Sequence, residues 1–177
     1  MAVMQKIKEI LLPDEVVRPE LVVPAEPTRY RVIPLREKDL KEVLALNLRC
    51  FNLGENYTKD TFKHLLTAPC ILGYRIISSD DRMAGFIFIA VNNEAVGHIT
   101  TIGVAPEHRK RGLAKTLLEH AEKALKNRKF DSVVLEVRVS NYIAQNLYHR
   151  LGYTIIQKLS NYYSDGEDAY LMSKTFS

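Results

Sequence analysis

The stretch Val104-Ala105-Pro106-Glu107-His108-Arg109-Lys110-Arg111-Gly112-Leu113-Ala114-Lys115-Thr116-Leu117-Leu118 joins an apolar strand to an amphipathic helix through a basic, glycine-containing turn. Such a junction suits a pyrophosphate. Pro106 cannot donate to a sheet ladder and so ends the strand. The main-chain N–H groups from Lys110 to Lys115 are then the donors that a helix start leaves without partners. Gly112 lets the backbone approach closely, Ala114 keeps the first turn narrow, and Arg109, Lys110 and Arg111 add charge to the helix dipole. Taken alone, the same residues also describe a solvated basic helix start, so the neighbouring elements must decide.

The chain has 177 residues, 46% hydrophobic and 26% charged, which suits one globular domain with a sizeable core. Lys and Arg exceed Asp and Glu to give a net charge of +4, which favours an anionic ligand without identifying it. Cys50 and Cys70 alone cannot make a disulfide scaffold or a four-ligand zinc site; both are expected to be small buried hydrophobes in a reducing compartment. No metal is expected. No apolar run is long enough to span a bilayer, so a cytoplasmic location off the membrane is expected.

Two parts are expected: residues 1–28, an N-terminal helix and proline-rich extended arm, and a domain over 29–177. Val3, Ile7, Ile10 and Leu11 form one face of the short helix, and Val16-Val17 and Val22-Val23 need covering by the domain or by another subunit. Period and turn residues then predict a strand at 30–33, helices at 36–49 and 60–66, and strands at 71–78, 83–91 and 95–104. A helix over 112–126, a strand over 132–139, a helix over 141–151 closed by Gly152, and a hairpin with strands at 153–161 and 168–175 complete the chain. In the first long helix the predicted apolar face is Leu40, Val43, Leu44 and Leu46 to Leu48. A strand, crossover helix and strand imply parallel pairing between the fourth and fifth strands.

An antiparallel meander, the phosphate-type turn and helix, then strand, helix and terminal hairpin resembles the GNAT superfamily of acyl-CoA-dependent N-acetyltransferases. Arg109, Gly112 and Ala114 match its signature of Arg or Gln, two residues, Gly, one residue, then Gly or Ala. Gly97 to Val104, Leu135 to Asn141, and Tyr162 to Met172 are similar to the RimI and NatA catalytic-subunit branch, in its archaeal type. The resemblance spans residues 29–175. It implies an α/β GNAT fold: a mixed, mostly antiparallel seven-stranded sheet with helices on both faces, splayed between the fourth and fifth strands.

The same resemblance implies that acetyl-CoA lies in the splay as cosubstrate. Main-chain groups of Ile102 and Val104 would face its pantetheine, the turn of Arg109, Lys110, Arg111, Gly112, Leu113, Ala114 and Lys115 would hold the pyrophosphate, and Asn141 would touch the pantetheine arm. Asn141 is equally suited to cap the helix it opens. His98 matches a histidine used in proton removal, Glu55 a carboxylate facing the incoming chain end as base or anchor, and Tyr148 a tyrosine beside the thiol sulfur and able to donate to it. Tyr57, Tyr162 and Tyr163 would clamp the first peptide residues. Gly54 stands where relatives usually carry proline, which leaves Glu55 less fixed. Asp165, Glu167 and Asp168 are expected to serve the turn and solubility.

Acyl transfer needs a neutral amine. Roughly a tenth of an α-amine with a pKa of about 7.7–8.0 is neutral at pH 7, whereas a lysine near 10.4 is neutral roughly once in 2,500, a gap of about 3.4 kcal/mol. The expected activity is acetyl transfer from acetyl-CoA to the α-amine of a protein or peptide, with ribosomal proteins or nascent chains as substrate sources, by direct attack in a ternary complex. Lysine or small-amine acetylation is the alternative on the same fold. A nonenzymatic nucleic-acid binder, using the basic residues from His108 to Lys129, is a different class; aromatics do not interleave with that run, so nucleic acid is not the expected partner. The sequence leaves an auxiliary subunit or homo-oligomer open.

Overall fold

The computed structural model describes residues 22–51, 57–92 and 94–176. The described elements are β1 (Tyr30–Pro34), α1 (Leu40–Cys50), α2 (Lys59–Thr67), β2 (Ile71–Ser78), β3 (Met83–Val91), β4 (Val96–Val104), α3 (Leu113–Asn127), β5 (Ser132–Arg138), α4 (Tyr142–Arg150), β6 (Thr154–Leu159) and β7 (Ala169–Thr175). The strands form one sheet in the order β1-β2-β3-β4-β5-β7-β6. Only the β4–β5 pair is parallel; the other pairs are antiparallel. That pair extends from Val96↔Ser132 to Ile99↔Leu135, so Thr100 to Val104 run on without a partner on β5.

Strand β3 is buried on both faces, which is why its sequence is a continuous apolar run rather than an alternation. Phe86 and Phe88 point to the side covered by α1 and α2, packing with Val43, Leu46 and Phe62. Ile87 and Ile89 point the other way, into a larger core with Leu117, Leu118 and Leu125 of α3, and with Leu135 and Met172. Helix α3 lies so close to β4 that a Cβ on Gly97 would stand 2.6 Å from a Leu125 methyl. Helices thus cover both faces.

Three details depart from the sequence expectation, and a fourth narrows it. Residues Glu37–Asp39 form a 3₁₀ turn and α1 starts only at Leu40, because the Asp39 carboxylate accepts the Arg36 N–H at 2.9 Å and pairs with Arg75 at 3.1 Å. Leu48 is 60% exposed while Asn47 is buried, so the apolar face of α1 is narrower than expected. Cys70 is exposed; Cys50 is half-buried. Val22 and Val23 are exposed and thus not covered by the domain. The expected N-terminal helix and Val16-Val17 lie outside the described residues. No helix among the described residues is long and apolar enough to cross a membrane.

At the sheet's end, β6 is exposed along nearly its whole length, with Ile155 and Ile156 open to solvent. Its pairing with β7 slips register between Ile155 and Gln157, and Lys158 pairs with Asp168 at 2.8 Å.

Gly85 shows how tightly the inner strands meet. A Cβ there would fall 2.8 Å from the Gly103 carbonyl oxygen, a main-chain atom that cannot turn aside. Gly85→Ala is expected to lower unfolding free energy by about 1–3 kcal/mol in urea titration, the range for overpacking a filled core; an unchanged midpoint would show that the strands can part.

Candidate active site

The basic turn begins where β4 stops. A 3₁₀ turn, Pro106–His108, follows the strand; Arg109 is extended, and Lys110 (φ +61°) and Gly112 (φ +77°) are left-handed. Left-handed residues interspersed in a turn curl successive N–H groups into a concave nest that suits an anion. Among the described residues nothing stands within 4 Å of a Cβ built on Gly112, so the left-handed φ, not crowding, demands glycine there. Helix α3 starts at Leu113, one residue later than the pattern suggested, and its N-cap is Gly112, which supplies no side-chain cap. The first helical bond runs from the Thr116 N–H to the Gly112 carbonyl at 3.0 Å, so the N–H groups of Leu113, Ala114 and Lys115 precede the ladder.

Strand β4 presents its free edge to the gap beside β5. The Ala105 N–H donates to the Ala84 carbonyl on β3 at 2.9 Å, and main-chain groups alternate along a strand, so those of Ile102 and Val104 point away from β3. The Val104 carbonyl already accepts from Arg109 Nε at 3.3 Å and from Cys50 Sγ at 3.4 Å. Burial pushes the Cys50 thiol up to about 11. Arg111 turns out of the turn: its guanidinium donates to the carbonyls of Ala25 and Glu26 and to the Tyr30 hydroxyl.

Gly97 and Ile99 face α3, so His98 points to the opposite face of the sheet. Its register partner on β5 is Val134, and two residues further on the same face stands Glu136. His98 Nε2 and Glu136 Oε2 are 2.6 Å apart. That hydrogen bond raises the His98 pKa above the ordinary histidine value, with burial working in the other direction. Glu136 was missed as a site residue. Its signal was a lone carboxylate inside the apolar strand Val133 to Val137, but only the parallel register reveals the partner.

Tyr57 donates its hydroxyl to the Thr100 carbonyl at 3.0 Å, at the bulge where β4 shifts register against β3. It thereby ties the chain before α2 to the strand that carries His98. Glu55 lies outside the described residues. Tyr148, on α4, is 7% exposed and packs on Tyr153 with ring centres 5.8 Å apart. Burial pushes its phenol up to about 12. Asn141 caps α4, its Oδ1 accepting the Ala144 N–H at 3.1 Å. The Gln145 amide donates to the carbonyls of Arg138 and Val139, both at 2.9 Å, which fastens the start of α4 to the end of β5.

Tyr162 and Tyr163 meet edge to face at 5.1 Å in the loop between β6 and β7. The acidic residues of this loop do more than serve the turn. Arg138 pairs with Asp165 at 2.9 Å and Glu167 at 2.5 Å while its guanidinium lies 4.0 Å over the Tyr163 ring. Glu167 also accepts the Ser140 N–H at 2.8 Å.

A parallel pair that parts midway, with an uncapped helix start opposite the parting, defines a fold built to admit an extended ligand carrying an anionic end. The chain belongs to the acetyltransferase (GNAT) family, whose pattern matches residues 40–153. It is 48% identical over 152 residues to an N-alpha-acetyltransferase of Saccharolobus solfataricus, covering 78% of this chain and 89% of that one. The NAA10 catalytic subunit of the N-terminal acetyltransferase A complex of Arabidopsis thaliana is 41% identical, over 77% of this chain and 72% of its own. Among solved structures, the ribosomal-protein-S18-alanine N-acetyltransferase of Escherichia coli superposes with a TM-score of 0.77 at 28% identity, covering 84% of this chain and 95% of that one.

The His98–Glu136 contact makes a signed prediction. Removing the carboxylate removes the partner that favours the imidazolium, so Glu136→Gln should lower the His98 pKa. Ring-proton shifts followed by NMR across pH check this; a midpoint that stays put or rises would contradict it.

Proposed function

We propose that this chain transfers the acetyl group of acetyl-CoA to the α-amino group of a protein or peptide N-terminus, by direct attack in a ternary complex. The observation that carries the reading is the His98–Glu136 pair, which straddles the end of the β4–β5 pairing at Ile99 and Leu135. Relatives named for N-alpha-acetyl transfer support the substrate class, and ribosomal proteins and nascent chains supply such chain ends.

The residues present fit acetyl-CoA: the nest at Lys110 and Gly112 and the N–H groups of Leu113, Ala114 and Lys115 suit its diphosphate, with Arg109 adding charge, and the edge of Ile102 and Val104 suits its pantetheine. When bound, it supplies an acetyl group activated as a thioester and a thiolate as leaving group. Neutral His98 takes the proton of the attacking amine, and Glu136 stabilises the imidazolium that results. Glu55 anchors the incoming amine, and Tyr57, Tyr162 and Tyr163 flank the first peptide residues. Asn141, whose Oδ1 already caps α4, borders the pantetheine path.

Tyr148 has a narrower role than full proton transfer. Its phenol, at about 12, is a far weaker acid than an ordinary thiol at about 8.5, so it hydrogen-bonds the leaving thiolate without surrendering its proton. Direct attack is favoured over an acyl-cysteine because the Cys50 thiol, at about 11, stays protonated and donates to the Val104 carbonyl.

The test is acetyl transfer to peptides varied in residues one and two, each beside an N-terminally blocked, lysine-containing control. Free ends should react and blocked ones should not; turnover confined to blocked peptides would reject the reading. Separately, Tyr148→Phe should lower kcat by about 10²-fold, the effect of losing one donor to developing charge, with the KM for acetyl-CoA little changed.

A further inference from the structure

The segment preceding β1 is bonded to the basic turn at several points. The Ala25 N–H donates to the Glu107 carbonyl at 3.0 Å, immediately before the turn, and Glu107 is itself held by Arg49 at 2.5 Å. In the other direction the Arg111 guanidinium reaches the Ala25 carbonyl, the Glu26 carbonyl at 3.0 Å and the Tyr30 hydroxyl at 3.0 Å. With its oxygen accepting from Arg111, the Tyr30 phenol can give its own proton to His108 Nδ1, 2.9 Å away. The far end is pinned as well: Thr28 Oγ1 lies 2.5 Å from Ser79 Oγ and accepts the Ser79 N–H at 3.2 Å.

The strap side of these contacts, residues 25–30, lies outside the part of the chain that matches the family, residues 40–153, whereas the turn side lies within it. They bracket the turn: Glu107 and His108 enter it, and Arg111 sits between its two left-handed residues, Lys110 and Gly112. A turn built of left-handed residues has few contacts of its own to hold it, so a strap gripping both ends fixes its N–H groups in advance of an anion.

We infer that residues 25–30 form a strap that preorganises the diphosphate-binding turn, with Arg111 as a positioning residue that faces the strap rather than the coenzyme. The inference rests on the reading of that turn as the acetyl-CoA site. Its consequence is an affinity effect confined to one substrate: loosening the strap weakens coenzyme binding and leaves the peptide side alone. By reciprocity, a bound coenzyme tightens the strap.

The experiment measures CoA affinity by calorimetry on the full chain and four variants. Ala25→Pro removes the donor to Glu107 without touching the turn, and Tyr30→Phe removes the phenol shared by Arg111 and His108. Each should raise the Kd for CoA about fivefold to tenfold, within the usual range of coupling between sites. In Ala25→Pro, kcat at saturating acetyl-CoA and the KM for peptide should match the unsubstituted protein, which a general loss of structure would not produce. Arg111→Gln should weaken CoA similarly, and adding Ala25→Pro to it should cost little more, because the two bonds hold one strap and losing either releases it. Amide exchange at Ala25 should slow when CoA binds. The strap is overturned if Ala25→Pro and Tyr30→Phe leave the Kd unchanged, or if Ala25→Pro and Arg111→Gln act independently, in a protein whose unsubstituted form binds CoA. Absence of CoA binding by the unsubstituted protein would overturn the site reading itself, and the strap with it.

Discussion

The parallel pairing of β4 and β5 ends at Ile99 and Leu135, and the architecture of the site follows from that short ladder. Two parallel neighbours cannot be joined by a tight turn, so the chain must cross over, and α3 is that crossover. A crossover helix begins near the carboxyl end of the strand it leaves, which sets its free N–H groups opposite the place where the strands part. Packing keeps it there. Leu117, Leu118, Ala121 and Leu125 are fully buried beneath the sheet, and Gly97 lets the helix lie almost on the backbone of β4. The parting and the anion-seeking helix start are therefore two results of one connection.

Strand β5 links the two halves of the site through its period of two. Glu136 and Arg138 stand on the same face, the first beside His98 and the second among Asp165, Glu167 and the Tyr163 ring. A shift of one residue in the β4–β5 register would send both side chains into the core formed by Val133, Leu135 and Val137, where neither charge could be accommodated. Burial of the alternate apolar residues thus sets the position of the polar ones, and the loop bearing Tyr162 and Tyr163 takes its place from the strand that also carries the carboxylate of the dyad.

The elements easiest to read in the sequence were those whose pattern is local. The β2 and β3 spans fell where period and turn residues put them, α3 formed within a residue of its expected bounds and buried Leu113, Leu117, Leu118, Ala121 and Leu125, and Gly152 adopted the left-handed φ of a helix end at +90°. What was harder to read depended on contacts distant in sequence. No local pattern says that Asp39 would be drawn to Arg75 and delay α1, or that Arg111 would turn toward Ala25 and Glu26. Glu136 was in view within an apolar strand, yet its meaning required the register that sets it against a histidine 38 positions earlier. Asp165 and Glu167 looked like ordinary turn residues because their partner, Arg138, lies on another strand.

The outermost strand, β6, carries a consequence for life in a crowded solution. An outer strand with open isoleucines offers its unpaired backbone as a template for a neighbour's chain. Here the slip between Ile155 and Gln157 interrupts the regular spacing of that backbone, and Lys158 sets a cation beside it. An incoming chain would find its hydrogen-bonding groups out of phase after a couple of residues and would have to bury an ammonium group to continue. Growth of stacked aggregates from this border is thereby discouraged without the apolar side chains having to be given up.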